Sequence, residues 1–324
     1  MSPDAPPEDR LFIPPVAAPP RPATGRLVWT FEDVRGQVRL VPPPGAIEAR
    51  FRARVGELLD SVAALVDRRS PAAELTRFNA APPGTWRLSD PLWALLNDSL
   101  DLADEVNGGW DPTLGALTDF WIAAGRDLSL TPPEAADLKA PRSVSGWQGF
   151  RLHRPGQGAV QPGGTVLDFD DVAAAVACDR VMAALGEAGV EAACVRIGDN
   201  ALGRGLLWDG QPWWAPLWPV FEPAEPRLVA ALLDLGLGIS GLDPDTPAPV
   251  DGASGLRISH GLVGVAVLDP SCFRAQALAR ALHVLGPYEG PAFAEAMSLP
   301  ALFVERGAGG LMKRVSPTLA AMEG

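Results

Sequence analysis

Apolar residues recur at steps of three and four through Ile47, Phe51, Val55, Leu58, Leu59, Val62, Leu65 and Val66. That period lines one face of a helix and predicts a long amphipathic one here. Ahead of it, Leu27–Phe31 and Val38–Val41 flank the turn Asp33-Val34-Arg35-Gly36 and read as a hairpin. A second helix opens at Ser89-Asp90-Pro91, where a capping hydroxyl precedes a first-turn proline, and Gly108-Gly109 stops it. Thr131-Pro132-Pro133-Glu134 has capping-box spacing and predicts a short helix after it.

Between Thr165 and Gly205 the pattern predicts a strand at Val166–Phe169, a helix from Asp171 to about Leu185, a break at Gly189 and a strand at Ala192–Ile197. The Trp- and Pro-rich stretch Trp208–Phe221 reads as edge or irregular structure, because proline cannot donate to a ladder. Leu262–Leu268 and Ala301–Val304 are apolar enough for strands, with helices at Arg274–Leu285 and Pro291–Ala296 between them. Helices and strands mix without strict alternation and without a fixed repeat, which favours an α+β fold.

Composition narrows the function. The 324 residues carry a net charge of −12, which opposes sustained contact with nucleic-acid phosphates or an anionic membrane surface. No apolar run approaches the roughly 20 residues of a membrane helix, and the proline-dense start lacks the basic and apolar regions of an export signal, so a cytoplasmic protein is expected. Residues 1–25 read as an extended or disordered arm and 26–324 as the folded domain. Cys178, Cys194 and Cys272 are odd in number and show no C-x-x-C spacing, so they read as small buried hydrophobes. His153, His260 and His283 lack partners at ligand spacing and read as structural or surface residues. Trp29, Trp86, Trp93, Trp147, Trp208, Trp213, Trp214 and Trp218 read as core or interface residues.

Four segments, in order, resemble the ApbE family of flavin transferases. Ser70-Pro71-Ala72-Ala73-Glu74-Leu75-Thr76-Arg77-Phe78-Asn79 is similar to its S-x-x-S-E-x-S-R-x-N. Gly108-Gly109-Trp110-Asp111-Pro112-Thr113-Leu114-Gly115-Ala116-Leu117, with Trp121, is similar to G-x-F-D-P-T-x-G-x-L and its following Trp. Leu167-Asp168-Phe169-Asp170-Asp171-Val172-Ala173-Ala174-Ala175-Val176-Ala177-Cys178-Asp179-Arg180 aligns without gaps to I-D-L-G-G-I-A-K-G-Y-A-V-D-R. Ile239-Ser240-Gly241 resembles T-S-G, and the run Ala275 to Gly286 resembles A-D-A-L-A-T-A-L-x-V-L-G, with Gln276 for its aspartate and Arg280 for its threonine. The nearest match to H-I-I-D-P-x-T-G is Leu242-Asp243-Pro244-Asp245-Thr246-Pro247, without the histidine; His260 is a candidate for a displaced counterpart.

The resemblance implies an ApbE-like, T-fold-related two-lobed body with a flavin cleft that brings Asp111, Asp168 and Ser240 together. It implies FAD or FMN as ligand, contacted by Gly109, Trp110, Asp111, Asp168, Asp171, Ala174, Ser240 and Gly241, and a protein threonine as the target of FMN transfer. In the family, Mg²⁺ bridges the pyrophosphate, held by the aspartate, the threonine and a backbone oxygen of the G-G turn. Here those positions are Gln276, a neutral amide, Arg280, a fixed cation, and the Asp170-Asp171 pair, while the family lysine is Ala174. These replacements argue against bound Mg²⁺ and for weak or absent transfer, with an ion pair between Arg280 and Asp170 or Asp171 in the metal's place and Gln276 beside it.

Simpler roles stand next to these. Asp170 and Asp171 open a helix, where carboxylates meet its dipole, and Asp111 suits an ordinary turn. Asp168 interrupts an apolar segment and needs a partner wherever it is buried. Three functions stay open: a flavin-binding pseudoenzyme, a working FAD:protein FMN transferase with charge compensation from Arg280, and a protein-interaction module without flavin.

Overall fold

Eight antiparallel strands form one sheet that the helices cover, in a computed structural model that describes residues 10–15, 20–124, 133–153, 156–218, 227–241 and 248–324. After β1 (Arg10–Phe12), the hairpin β2 (Trp29–Asp33) and β3 (Gly36–Leu40) leads into α1 (Glu48–Val66) and α2 (Glu74–Asn79). Next come β4 (Gly84–Arg87), α3 (Asp90–Glu105), α4 (Gly115–Ala123), α5 (Ala135–Ser143), β5 (Arg151–His153) and β6 (Gly158–Gln161). The chain continues through α6 (Ala173–Glu187), β7 (Ala193–Ile197), β8 (Asn200–Arg204), β9 (Trp213–Pro216), β10 (Leu228–Leu232) and β11 (Leu235–Gly241). It ends with β12 (Leu262–Asp269), α7 (Cys272–Ala296), β13 (Ala301–Gly307), β14 (Gly310–Val315) and α8 (Pro317–Ala320). The large sheet runs β14-β13-β12-β11-β8-β7-β3-β2, and two three-stranded sheets, β1-β10-β9 and β4-β6-β5, flank it.

This is the α+β class expected, and most elements fall where the periodicity places them. β12 lies inside the sheet and is buried along nearly its whole length, which is why it reads as a continuous apolar run. Val265 and Val267 pack on the helical layer, while Ala266 and Leu268 pack on the β9–β10 side. β9 sits at a sheet edge, as its prolines require. All three cysteines are free and buried. Neighbouring Cys178 and burial push the Cys272 thiol well above its ordinary pKa, so it stays a neutral packing group. Trp213 and Trp218 are buried, whereas Trp86 and Trp208 are each about 40% exposed and are not core residues.

Two expectations need correction. Val166–Phe169 is not a strand: only Val166 forms a parallel bridge, to Leu114, and the Asp168 N–H donates to the Pro112 carbonyl at 2.8 Å. The segment is held by a side chain instead. Asn79 donates from Nδ2 to the Leu167 carbonyl at 2.8 Å and accepts the Leu167 N–H at 2.9 Å, replacing the missing ladder partner. The helix after residue 133 is capped by Glu134 with Asp137, three residues beyond the expected start; Thr131 and Pro132 lie outside the described residues. The two helices expected between β12 and β13 are present, separated within the span of α7 by a kink where Gly286 takes φ 81° and ψ −170°. At the N-terminus, Arg10–Phe12 is extended and pairs in parallel with β10, while the Ile13 N–H donates to the Met322 carbonyl.

Helix α7 is fixed against β11 and against α6. Gly236 and Gly238 of β11 lie directly beneath it, and a Cβ at Gly236 would sit 2.7 Å from the Cys272 Cα. Asp179 of α6 meets its N-terminus: the carboxylate accepts the Cys272 N–H at 2.8 Å, the Phe273 N–H at 2.9 Å and the Ser271 hydroxyl at 3.0 Å. A carboxylate there satisfies free N–H groups and the positive end of the helix dipole. Asp179→Ala therefore lowers the free energy of unfolding by about 1–2 kcal/mol, the usual cost of a lost helix cap. Urea denaturation checks this, and an unchanged midpoint contradicts it.

Candidate functional site

The turn before α4, the segment before α6 and the middle of α7 converge on a small cleft that opens to solvent. Gly109, Trp110, Asp111, Leu114, Thr118, Asp168, Asp171, Val250 and Arg280 line it. Six of these were picked from the sequence. Ser240, Gly241, Ala174 and Gln276 are not among the lining residues.

Asp111 is committed to the backbone around it. One oxygen accepts the Thr113 N–H at 2.8 Å and hydroxyl at 2.7 Å, and the other accepts the Trp147 N–H at 3.1 Å. Burial pushes its pKa up while those bonds pull it down. The turn role foreseen for it is thus present in full. Gly109 packs closely on α7, where a Cβ would press on Ala281 at 3.2 Å. Trp110 differs: it is 4% exposed, and its indole Nε1 meets no acceptor among the described residues.

Asp168 finds its partner in Arg68, which the sequence reading missed. Arg68 stands two residues past the end of α1, 11% exposed, and donates from one terminal nitrogen to Asp168 at 2.8 Å and from the other to Asp119 at 2.6 Å. Burial works to lower the Arg68 pKa, yet Asp168 and Asp119 hold it above its ordinary value. Asp168 also accepts the Asp170 N–H at 3.0 Å. Burial, the largest influence, raises the Asp168 pKa against the pull of Arg68. Asp170 is raised further, to about 6, by burial and then by the charge of Asp168. The clue to Arg68 was the unpaired need of Asp168 itself, with a basic pair just beyond a long helix.

On the opposite wall, the Arg280 guanidinium reaches Asp171 at 3.2 Å, the ion pair expected from the replaced positions. Gln276 does not join it. Its amide pairs with one residue of β11, accepting the Ile239 N–H at 2.9 Å and donating to the Ile239 carbonyl at 3.1 Å. β8 accompanies β11 only as far as Leu237, so the amide takes over where the ladder stops. An aspartate has no donor for that carbonyl, which gives glutamine a structural reason to be here.

Ser240 is buried against His283, one turn of α7 beyond Arg280. The His283 Nε2 lies 3.2 Å from the Leu262 carbonyl and must donate to it, so Nδ1 accepts the Ser240 hydroxyl at 2.9 Å. Burial, helped by Arg280 and His260, lowers the His283 pKa to about 4 and keeps the ring neutral at pH 7. Gly241 faces Gly264 across β11 and β12, and both lie under the Trp218 ring. Ala174 is in the first turn of α6. The expected match at 242–247 lies outside the described residues. In Val250-Asp251-Gly252-Ala253-Ser254-Gly255 the Asp251 carboxylate accepts the Ala253 and Ser254 N–H groups, and the turn sets Val250 against the cleft.

Fold and site together define an α+β protein with a cleft lined by paired charges where three helices end or cross. A model of the ApbE family matches residues 33–236, and the chain belongs to that family. It is 25% identical over 320 residues to an FAD:protein FMN transferase of Klebsiella pneumoniae, covering 93% of this chain and 89% of that protein. A counterpart in Escherichia coli is 24% identical over 255 residues, covering 74% and 72%. The solved apo structure of the Pseudomonas stutzeri flavinyl transferase ApbE matches with a TM-score of 0.84 at 26% identity, over 92% of this chain and 97% of that one. The Vibrio cholerae flavin transferase ApbE matches in fold with a TM-score of 0.79 at 23% identity, over 91% and 98%.

Two outcomes follow from the charge arrangement. Arg68→Leu leaves Asp168 buried without its cation and lowers unfolding free energy by about 3 kcal/mol in denaturant titration; a loss below about 1 kcal/mol contradicts a closed pair. For Asp170 the folded pKa, about 6, exceeds the ordinary 3.8, so the folded state holds the extra proton between those values. Stability therefore falls as pH rises through that window, and the full penalty is present above it. Asp170→Asn raises Tm at pH 7.5 relative to the parent protein and flattens this part of the pH profile; parallel profiles contradict the assignment.

Proposed function

We propose that this chain binds FAD in the cleft without Mg²⁺ and transfers FMN to a protein threonine weakly or not at all. Family membership and the named activity of its relatives supply the flavin nucleotide and the protein target.

The observation behind the loss of metal is the state of the two replaced donors. Mg²⁺ demands hard oxygen ligands in near-octahedral array. The Gln276 oxygen already accepts the Ile239 N–H, and its NH₂ holds the Ile239 carbonyl. Arg280 sets a positive guanidinium on Asp171, which lines the cleft beside it. A divalent ion there would have to displace one cation and release one strand, so the residues present do not fit it. What they supply is a fixed positive charge that can offset a phosphate without a metal.

FAD titration followed by flavin fluorescence, in EDTA and then in millimolar Mg²⁺, tests this. The affinity is expected to agree within about twofold between the two, with no FMN attached to a threonine-bearing target protein by mass spectrometry. Mg²⁺-dependent attachment of FMN contradicts the proposal and favours a working transferase; absence of FAD binding in both buffers contradicts it in favour of a protein-interaction module.

A further inference from the structure

The end of α1 meets the start of α6. Arg68, just past α1, bonds Asp168, just before α6, so the opening turns of α1 lie beside the closing turns of α6. Between those turns a slot with about 150 Å³ of space opens at the surface. Phe51, Val55 and Leu58 form one wall at helical spacing, and Val181, Ala184 and Leu185 form the other. Val55, Val181 and Leu185 are buried and make its floor. Ala184 keeps the slot open, because a longer side chain on that turn would fill it. The slot stands apart from the cleft: Ala184 lies about 16 Å along α6 from its first residue, Ala173.

The charged residues of this slot are cations alone. Arg50 and Arg54, one helical turn apart, line it, and no carboxylate is among its lining residues. Arg50 has no ion-pair partner among the described residues. Arg54 pairs with Glu57 of its own helix at 3.3 Å, with side-chain exposures of 61% and 67%. An exposed pair of this kind contributes little, so both guanidiniums are available to an anion. In a chain of net charge −12, two arginines at an apolar mouth are a local reversal of sign. Their methylene stems extend the apolar wall toward the charged ends.

We infer that this slot binds a medium-chain carboxylate, with the alkyl chain between α1 and α6 and the carboxylate on Arg50 and Arg54. Size selects the tail: an apolar cavity of about 150 Å³ holds a benzene ring, so roughly six carbons fill this one. Charge selects the head, because a cationic or uncharged chain gains the same apolar contact without the charge-assisted bonds to the guanidiniums. A partner helix needs a longer track, whereas the apolar lining here ends after about two turns of each helix. The site requires nothing of the flavin proposal.

Ligand-observed NMR titration of the whole chain with octanoate, below its micellar range, tests this. Octanoate is expected to bind one to one with a Kd of about 1 mM, the scale of a ten-atom ligand in a half-open site. Hexanoate should bind about tenfold more weakly, because two methylenes leave the slot, and decanoate within about threefold of octanoate, because the slot is then full. Ala184→Phe is expected to weaken octanoate at least tenfold and Arg50→Glu about fivefold. Arg52→Glu makes the same charge change on α1 away from the slot, where Arg52 covers Phe31 and pairs with Glu48, and should alter the Kd less than about twofold. Equal binding of octyltrimethylammonium, an unchanged Kd in Ala184→Phe, equal effects of Arg50→Glu and Arg52→Glu, or no binding of octanoate overturns the inference. Sedimentation velocity adds one more outcome: self-association of the parent that Ala184→Phe abolishes assigns the slot to a second copy and overturns it as well. Positions 50, 52 and 184 are all at least partly exposed, and near-ultraviolet circular dichroism verifies that the three variants fold. The chain-length series and Arg50→Glu decide the matter even without Ala184→Phe.

Discussion

Helix α7 lies on β11 with no atoms to spare, and the geometry of the cleft depends on that contact. Gly236 and Gly238 leave the helix backbone resting on the strand, and a side chain at either would run into Cys272 or Gln276. Close approach of this kind is available only to glycine. With the helix so placed, Gln276 falls opposite Ile239, and Arg280, one turn on, faces the segment before α6. His283, nearly one turn further, meets Ser240 on the same strand. Asp179 secures the start of the helix, so α6 and α7 are tied before either reaches the cleft.

The same physical device appears twice. Asn79 and Gln276 each pair a side-chain amide with both backbone groups of one residue, Leu167 and Ile239, at places where ladder pairing stops. An unpaired peptide group in a closed interior costs on the order of 1–3 kcal/mol, so each clamp satisfies backbone groups that would otherwise be unfavourable to bury. Each clamped residue is followed directly by a polar one, Asp168 or Ser240. Electrostatics then follows position: Arg68 meets Asp168 from just beyond the end of α1, and Arg280 meets Asp171 from α7. Each of the two arginines thus meets a cleft carboxylate from within the chain.

Much of the scaffold was legible because it is written in periodicity and caps: the α1 stripe, the Ser89 cap and the apolar run of β12 all stand where the pattern puts them. The ion pair between Arg280 and Asp171 was also legible, since two replacements of opposite charge at positions that meet predict each other. Arg68 was not, because a buried pair spanning a hundred residues leaves no local signature. Gln276 was assigned to the wrong neighbour for a related reason: its substitution was read by charge, whereas its amide is set by strand geometry. Val166–Phe169 looked like a strand because burial alone makes a segment apolar, and the Asn79 clamp buries it without a ladder.

The central claim is that an arginine, and no metal, supplies the positive charge of this cleft. A crystal structure of the protein soaked with FAD and Mg²⁺ tests it most directly. The account predicts a phosphate oxygen of FAD within hydrogen-bonding distance of the Arg280 guanidinium, Asp171 turned away toward solvent, and Gln276 still paired with Ile239. An octahedral Mg²⁺ ligated by the Gln276 oxygen or Asp171, with Arg280 displaced from the cleft, would contradict it.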